Sequence, residues 1–124
     1  MLVLNVLRWI RVLTSIVDNT FLSPYFQNPL ELGADVVIHS GTKFLGGHND
    51  TIAGFLVTNR EDISEQLRFI IKTVGSALAP FDSWLILRGI KTLPLRMEKA
   101  QEKASQAPKK TSILAKLKSN QATI

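Results

Sequence analysis

Apolar residues follow two patterns along this chain, and the change comes near Asn59. After it, Ile63, Leu67, Ile70, Ile71 and Val74 recur at i, i+4, i+7, i+8 and i+11, the spacing of one helix face. An amphipathic helix is expected over 60–74, with Asn59 as N-cap, Glu61, Asp62 and Glu65 near its positive end, and Gly75 as its stop. A second helix is expected over 81–87, packed through Trp84, Leu85 and Leu87. Pro94 suits the start of a third, where its missing N–H does little harm, and that helix should run to about Gln106, before Pro108. Ile113, Leu114 and Leu117 allow one weak helix over 109–124.

Before Asn59 the apolar residues come in short runs. Ser15-Ile16-Val17 reads as a buried strand that delivers Asp18 at its carboxyl end. Two prolines make 19–29 a loop, and 30–33 a helical turn closed by Gly33. Val36-Val37-Ile38 has no alternation, as buried parallel strands read. Residues 51–58 form another strand, with Gly54 marking a bulge or a close backbone approach. Strands followed by helices predict an α/β fold with a parallel-rich sheet. Residues 1–17 are rich in apolar side chains, but Arg8 and Arg11 interrupt them. The run is therefore neither the ~20-residue span a bilayer requires nor an ordered signal peptide.

Composition narrows the partners. Hydrophobic residues make up 45% and charged residues 20%, a globular balance. There is no cysteine, which removes disulfides, thiolate nucleophiles and cysteine-held zinc, and fits a cytoplasmic protein. The net charge of +5 is a tail property, because residues 98–124 hold six lysines against Glu98 and Glu102. No aromatic residue follows Trp84, so the basic tail has no stacking platform and nucleic acid is not an expected partner.

Chemistry concentrates in residues 39–50, His-Ser-Gly-Thr-Lys-Phe-Leu-Gly-Gly-His-Asn-Asp. A strand ending in a small, polar, glycine-rich segment can converge N–H groups and hydroxyls on an anion. Lys43 follows Ser40 and Thr42, so one ligand could meet anion donors and an amine, as suits a phosphorylated aldehyde with Lys43 as Schiff-base partner. A lone lysine is ordinarily a solvent charge, and Ser40 and Thr42 could simply bond their own turn. Behind a buried strand, however, the amine would be desolvated and nucleophilic. Asp18 either caps the next turn or serves a ring nitrogen. His39 and His48 lie nine apart with Asp50 near, a spacing that favours structural hydrogen bonds over a metal.

Ser40-x-Thr42-Lys43 followed by Gly46-Gly47-His48-x-Asp50 resembles the lysine segment of the trans-sulfuration enzymes, the pyridoxal-phosphate family of Cys/Met metabolism. The likeness extends through Val17-Asp18-Asn19-Thr20-Phe21, Leu30-Glu31-Leu32-Gly33-Ala34-Asp35, Pro80-Phe81-Asp82-Ser83-Trp84 and Arg88-Gly89-Ile90-Lys91-Thr92-Leu93, over about 16–102. It implies part of an aspartate-aminotransferase-like large domain at 16–107, flanked by a divergent apolar start (1–15) and a divergent basic tail (108–124). It further implies pyridoxal 5'-phosphate as cofactor, with Lys43 as its Schiff-base and proton-transfer residue. By the same resemblance Asp18 meets the ring nitrogen, Ser40 and Thr42 the phosphate, and Thr20 lies near the ring. Phe44 stands where many relatives carry tyrosine. The stacking tyrosine, a glycine loop and the substrate-carboxylate arginine lie outside this chain in the family, which reads it as a fragment. The expected function is γ-replacement or elimination on homoserine esters or cystathionine, cystathionine γ-synthase-like. Cystathionine β-lyase and a non-catalytic remnant are the alternatives. The expected partners are a small amino-acid substrate and other copies of the chain, not a membrane.

Overall fold

The computed structural model describes residues 13–106, so the apolar start before Leu13 and the basic tail with its expected weak helix lie outside the described residues. Three strands form one sheet in the order β1 (Ile16–Asp18), β2 (Val36–Ser40), β3 (Gly54–Val57). β1 runs parallel to β2 with Asp18 opposite Ile38, and β3 runs antiparallel to β2 with Ser40 opposite Gly54. The α/β class holds, and the sheet is mixed: the chain leaves β2 through a compact turn and a loop without a crossover α-helix and returns antiparallel in β3.

The strand expected at 36–38 is central and extends to Ser40, with Val36 and Val37 buried. β1 is not buried, however. It forms one edge, and Ile16 is 61% exposed. The strand expected over 51–58 is confined to Gly54–Val57, because Gly41 N and Thr42 N bond to Ala53 O and hold the preceding residues against the turn after β2.

Asp35 secures the far end of the sheet. Its carboxylate accepts bonds from Ser15 N and Ser15 Oγ at 2.9 Å each, and Arg60 pairs with it at 3.4 Å. Thr58 Oγ1 donates to Asp35 O at 2.7 Å, so one residue joins all three strands. The bond from Ser15 N, first among these contacts, holds the Asp35 carboxyl below its ordinary range.

The loop over 19–29 contains a helical turn, α1 (Ser23–Phe26), that sequence did not anticipate. Buried Asn19 stabilises it, donating through Nδ2 to Ser23 O at 3.1 Å and Gln27 O at 2.8 Å. Leu32 N bonds to Pro29 O and Gly33 N to Leu30 O, with Gly33 at φ 99°, the expected glycine-closed turn. α2 (Glu61–Val74) ends at Gly75 in the left-handed conformation as foreseen. Its N-cap position belongs to Arg60 rather than Asn59, since Thr58 Oγ1 takes the Arg60 N–H at 3.1 Å. None of its residues is buried, and Phe69, Ile70 and Val74 face solvent.

α3 (Pro80–Ile90) and α4 (Leu93–Gln106) form the layer under the segment that carries Lys43. α3 packs through Ile86 and Gly89, not through Trp84 and Leu87, which are exposed. Leu93 and Met97 of α4 form a core cluster with Leu45, lined by Phe44 and Phe55.

A Cβ at position 89 would overlap the Gly46 carbonyl oxygen, whereas one at position 54 would meet nothing within 4 Å. Gly89→Ala should therefore cost roughly 1–3 kcal/mol despite alanine's better helix propensity. Gly54→Ala should stay within about 0.5 kcal/mol, as open surface changes do. Urea unfolding followed by circular dichroism compares the two, and equal stability losses would show that the contact does not constrain α3.

Candidate functional site

Parallel pairing makes the carboxyl ends of β1 and β2 end together, the edge at which α/β sheets place ligands. Asp18 and Ser40 both leave the sheet there. Thr20 links them, because its N–H donates to Asp18 Oδ1 at 3.0 Å and its hydroxyl accepts the Ser40 N–H at 2.9 Å. The Thr20 hydroxyl, and then its backbone N–H, hold the exposed Asp18 carboxyl below the ordinary carboxylate range.

His39 projects from the opposite face of β2, since neighbouring strand residues alternate. With Val37, Leu45, Phe55 and Ile90 it lines a separate apolar cavity of about 310 Å³. Its Nδ1 is buried without a partner, so the expected structural bond is not made at that atom. Burial pushes the imidazole below its ordinary pKa, against the pull of the Asp18 carboxylate. His48 does make a structural bond, with Nδ1 2.7 Å from Gly46 O. Among the described residues no three His, Cys, Asp or Glu side chains are grouped as a metal would require.

The turn Gly41–Leu45 leaves β2 directly and departs from helical geometry at Lys43 (φ −87°, ψ −120°). A Cβ at position 41 would lie 2.7 Å from the Phe55 ring, so glycine lets the turn pass close to β3. Thr42 Oγ1 accepts the Ala53 N–H at 3.0 Å and lies 3.4 Å from Ala53 O. Its hydroxyl thus anchors the turn, with the longer contact the weaker of the two. Among the described residues Lys43 is exposed rather than desolvated. It borders a cavity of about 290 Å³ with Phe21, Phe44, Gly47, Asn49 and Arg96. Phe21, one residue beyond Thr20, meets Phe44 edge to face at 6.3 Å and so joins the Asp18 side to the lysine side.

Arg96 escaped sequence reasoning. Its Nε bonds Thr92 Oγ1 at 3.1 Å, Nη1 bonds Phe44 O at 2.5 Å and Nη2 bonds Gly89 O at 2.8 Å. Thr92 and Arg96, four apart beside Pro94, were a visible signal of a pair at a helix start.

A lysine turn after a central strand, next to a carboxylate ending a parallel neighbour, defines an α/β protein with a strand-end site. The chain belongs to the Cys/Met metabolism PLP-dependent enzyme family, whose profile matches residues 2–110. It is 56% identical over 89 residues to a cystathionine gamma-lyase of Bacillus subtilis, covering 72% of this chain and 24% of that protein. A cystathionine gamma-synthase of Haemophilus influenzae is 54% identical over 89 residues, with the same 72% and 24% coverage. A cystathionine beta-lyase of Lactococcus lactis is 54% identical over 84 residues, covering 68% of this chain and 22% of that protein. Among solved structures, the cystathionine gamma-lyase of Lactobacillus plantarum complexed with L-serine matches with a TM-score of 0.71 and 46% identity, over 76% of this chain and 24% of its own. The chain spans about a quarter of the length of the curated relatives it matches.

Thr20→Val should raise the Asp18 pKa toward the ordinary carboxylate value, as carboxyl-resolved NMR titration would measure. The sign follows from linkage. A depressed folded pKa contributes stability above the unfolded value and loses it as pH falls through the folded value, so the variant should lose this acid-side dependence. An Asp18 titration unchanged by the substitution would show that Thr20 does not hold it.

Proposed function

We propose that residues 16–107 carry the cofactor-anchoring part of the large domain of a pyridoxal 5'-phosphate enzyme of sulfur amino-acid metabolism, cystathionine γ-synthase-like. The supporting observation is the convergence of Asp18, Thr20, Ser40 and Lys43 at one sheet edge. The residues present fit the group: an exposed, preorganised carboxylate, hydroxyl donors and a primary amine beside a cavity match a pyridine nitrogen, a phosphate and an aldehyde. When bound, pyridoxal phosphate supplies an electron sink that favours charge at the substrate Cα and so permits elimination or replacement at Cβ or Cγ.

The chain's own residues do the rest. Asp18 would accept a hydrogen bond from the protonated ring nitrogen, and Thr20 keeps that carboxylate ionised and aimed. The Ser40 hydroxyl donates to phosphate, and the Thr42 proton, weakly held at 3.4 Å from Ala53 O, turns to do the same. Lys43 Nζ would hold the group at its aldehyde carbon and would carry a proton between substrate carbons. Cystathionine β-lyase is the second reading, favoured by a beta-lyase relative at 54% identity, the same figure as the synthase. A non-catalytic role is the third, favoured by the exposure of Lys43.

Our reading extends to the cytoplasm, supported by the cysteine-free sequence, and to self-association. Among the described residues no helix is long and apolar enough to cross a membrane. Exposed Phe69, Ile70 and Val74 on α2 and the exposed edge residue Ile16 leave apolar surface that a second copy can cover.

Borohydride reduction of the chain mixed with pyridoxal phosphate should place the phosphopyridoxyl group on Lys43, identified by peptide mass spectrometry. Lys43→Ala should remove that single dominant adduct, and a dominant adduct on another lysine would overturn the assignment. Sedimentation at micromolar concentration should show species larger than a 13.8 kDa monomer, and a stable monomer would refute self-association.

A further inference from the structure

Lys43 interrupts the helical geometry of its turn, which the bond from Gly46 N to Gly41 O at 2.8 Å closes from end to end. Further contacts hold the peptide planes just beyond Lys43. Gly47 N donates to Lys43 O at 2.8 Å, and Arg96 Nη1 donates to the next carbonyl, Phe44 O, at 2.5 Å. The first two peptide planes beyond Lys43 are therefore fixed, one of them by a side chain from a different element. The same guanidinium reaches Gly89 O of α3 and Thr92 Oγ1 at the start of α4, so it ties the lysine turn to both helices beneath it.

We propose that Arg96 is the positioning residue of the lysine turn, bridging Phe44, Gly89 and Thr92 so that Lys43 is presented to the cavity it borders with Phe44 and Arg96. This rests on the reading of Lys43 as the cofactor amine. Arginine is required by geometry: its planar fork donates in several directions at once, whereas lysine is a point donor on a flexible stem and cannot span carbonyls of two elements. Gly47 is part of the arrangement, because a Cβ there would overlap the guanidinium, and its φ of 78° independently favours glycine. Charge-assisted bonds of this kind rank among the stronger hydrogen bonds, and a carbonyl left behind in a half-buried site would lose its partner. Burial also lowers the Arg96 pKa, in keeping with a guanidinium withdrawn from water into the turn.

The test uses the full chain with pyridoxal phosphate and sodium cyanoborohydride. Peptide mass spectrometry then gives the rate of adduct formation at Lys43 relative to exposed Lys72 and Lys91. In the parent chain Lys43 should label fastest. Arg96→Met and Arg96→Lys should each lower the Lys43-to-Lys72 ratio about tenfold, on the scale of one charge-assisted bond, with helix content by circular dichroism retained. Failure of lysine to rescue separates forked positioning from a simple need for positive charge. Thr92→Val loosens the guanidinium without removing it and should lower the ratio by a smaller factor. An unchanged ratio in a folded Arg96 variant overturns the inference, and where neither Arg96 variant folds, an unchanged ratio in Thr92→Val does so. A parent chain with no preference for Lys43 overturns the underlying reading instead, and this inference with it.

Discussion

The lysine turn can rest on α3 because position 89 has no side chain. The Gly46 carbonyl occupies the space a Cβ at 89 would need, and Ile86, one turn earlier, approaches the same residue from the side. That closeness brings Gly89 O within reach of Arg96, which caps it together with Phe44 O. Leu45, Leu93 and Met97 then close the small core beneath. The buried apolar contacts and the polar clamp share one spacing.

The opposite end of the sheet works by a different rule. There Asp35 collects bonds from Ser15, Arg60 and Thr58, and so joins three strands through polar contacts without a deep core. Such a device suits a sheet whose outer strands are half exposed. The central strand alone is shielded on both sides, so position along β1 and β3 has to come from hydrogen bonds at the ends. Strand-end chemistry is left to the carboxyl edge, where Asp18 and Ser40 are joined through Thr20.

What could be read in the sequence was local. The unalternating run at Val36–Ile38, the periodic spacing after Arg60, Gly33 and Gly75 as stops, and the lysine segment all signal through neighbours within a few positions. Three things were invisible for one reason. The reach of Arg96 to Phe44, the clamp of Asp35 on Ser15 and the packing of Gly89 on Gly46 join residues 20 to 52 positions apart. The expected packing through Trp84 and Leu87 failed because hydrophobicity was taken as burial, while the contact face was selected by the smallest residue on the helix. The expectation of a desolvated Lys43 assumed cover that the described residues do not supply.

β2 itself shows how two neighbouring positions acquire opposite electrostatic character. His39 lies on the face that turns to the apolar cavity, where removal from water disfavours the imidazolium and leaves Nδ1 without a partner. One residue on, Ser40 emerges on the other face, and its N–H is taken by the hydroxyl that also steadies Asp18. Asp18 stays ionised through hydrogen bonds rather than through burial beside a cation, so its charge carries little desolvation cost and remains available at the surface. On the proposed reading, a carboxylate that holds a proton on another molecule's nitrogen benefits from that arrangement. It is fixed in direction and accessible, and its pull on His39 across the paired strands is outweighed there by burial.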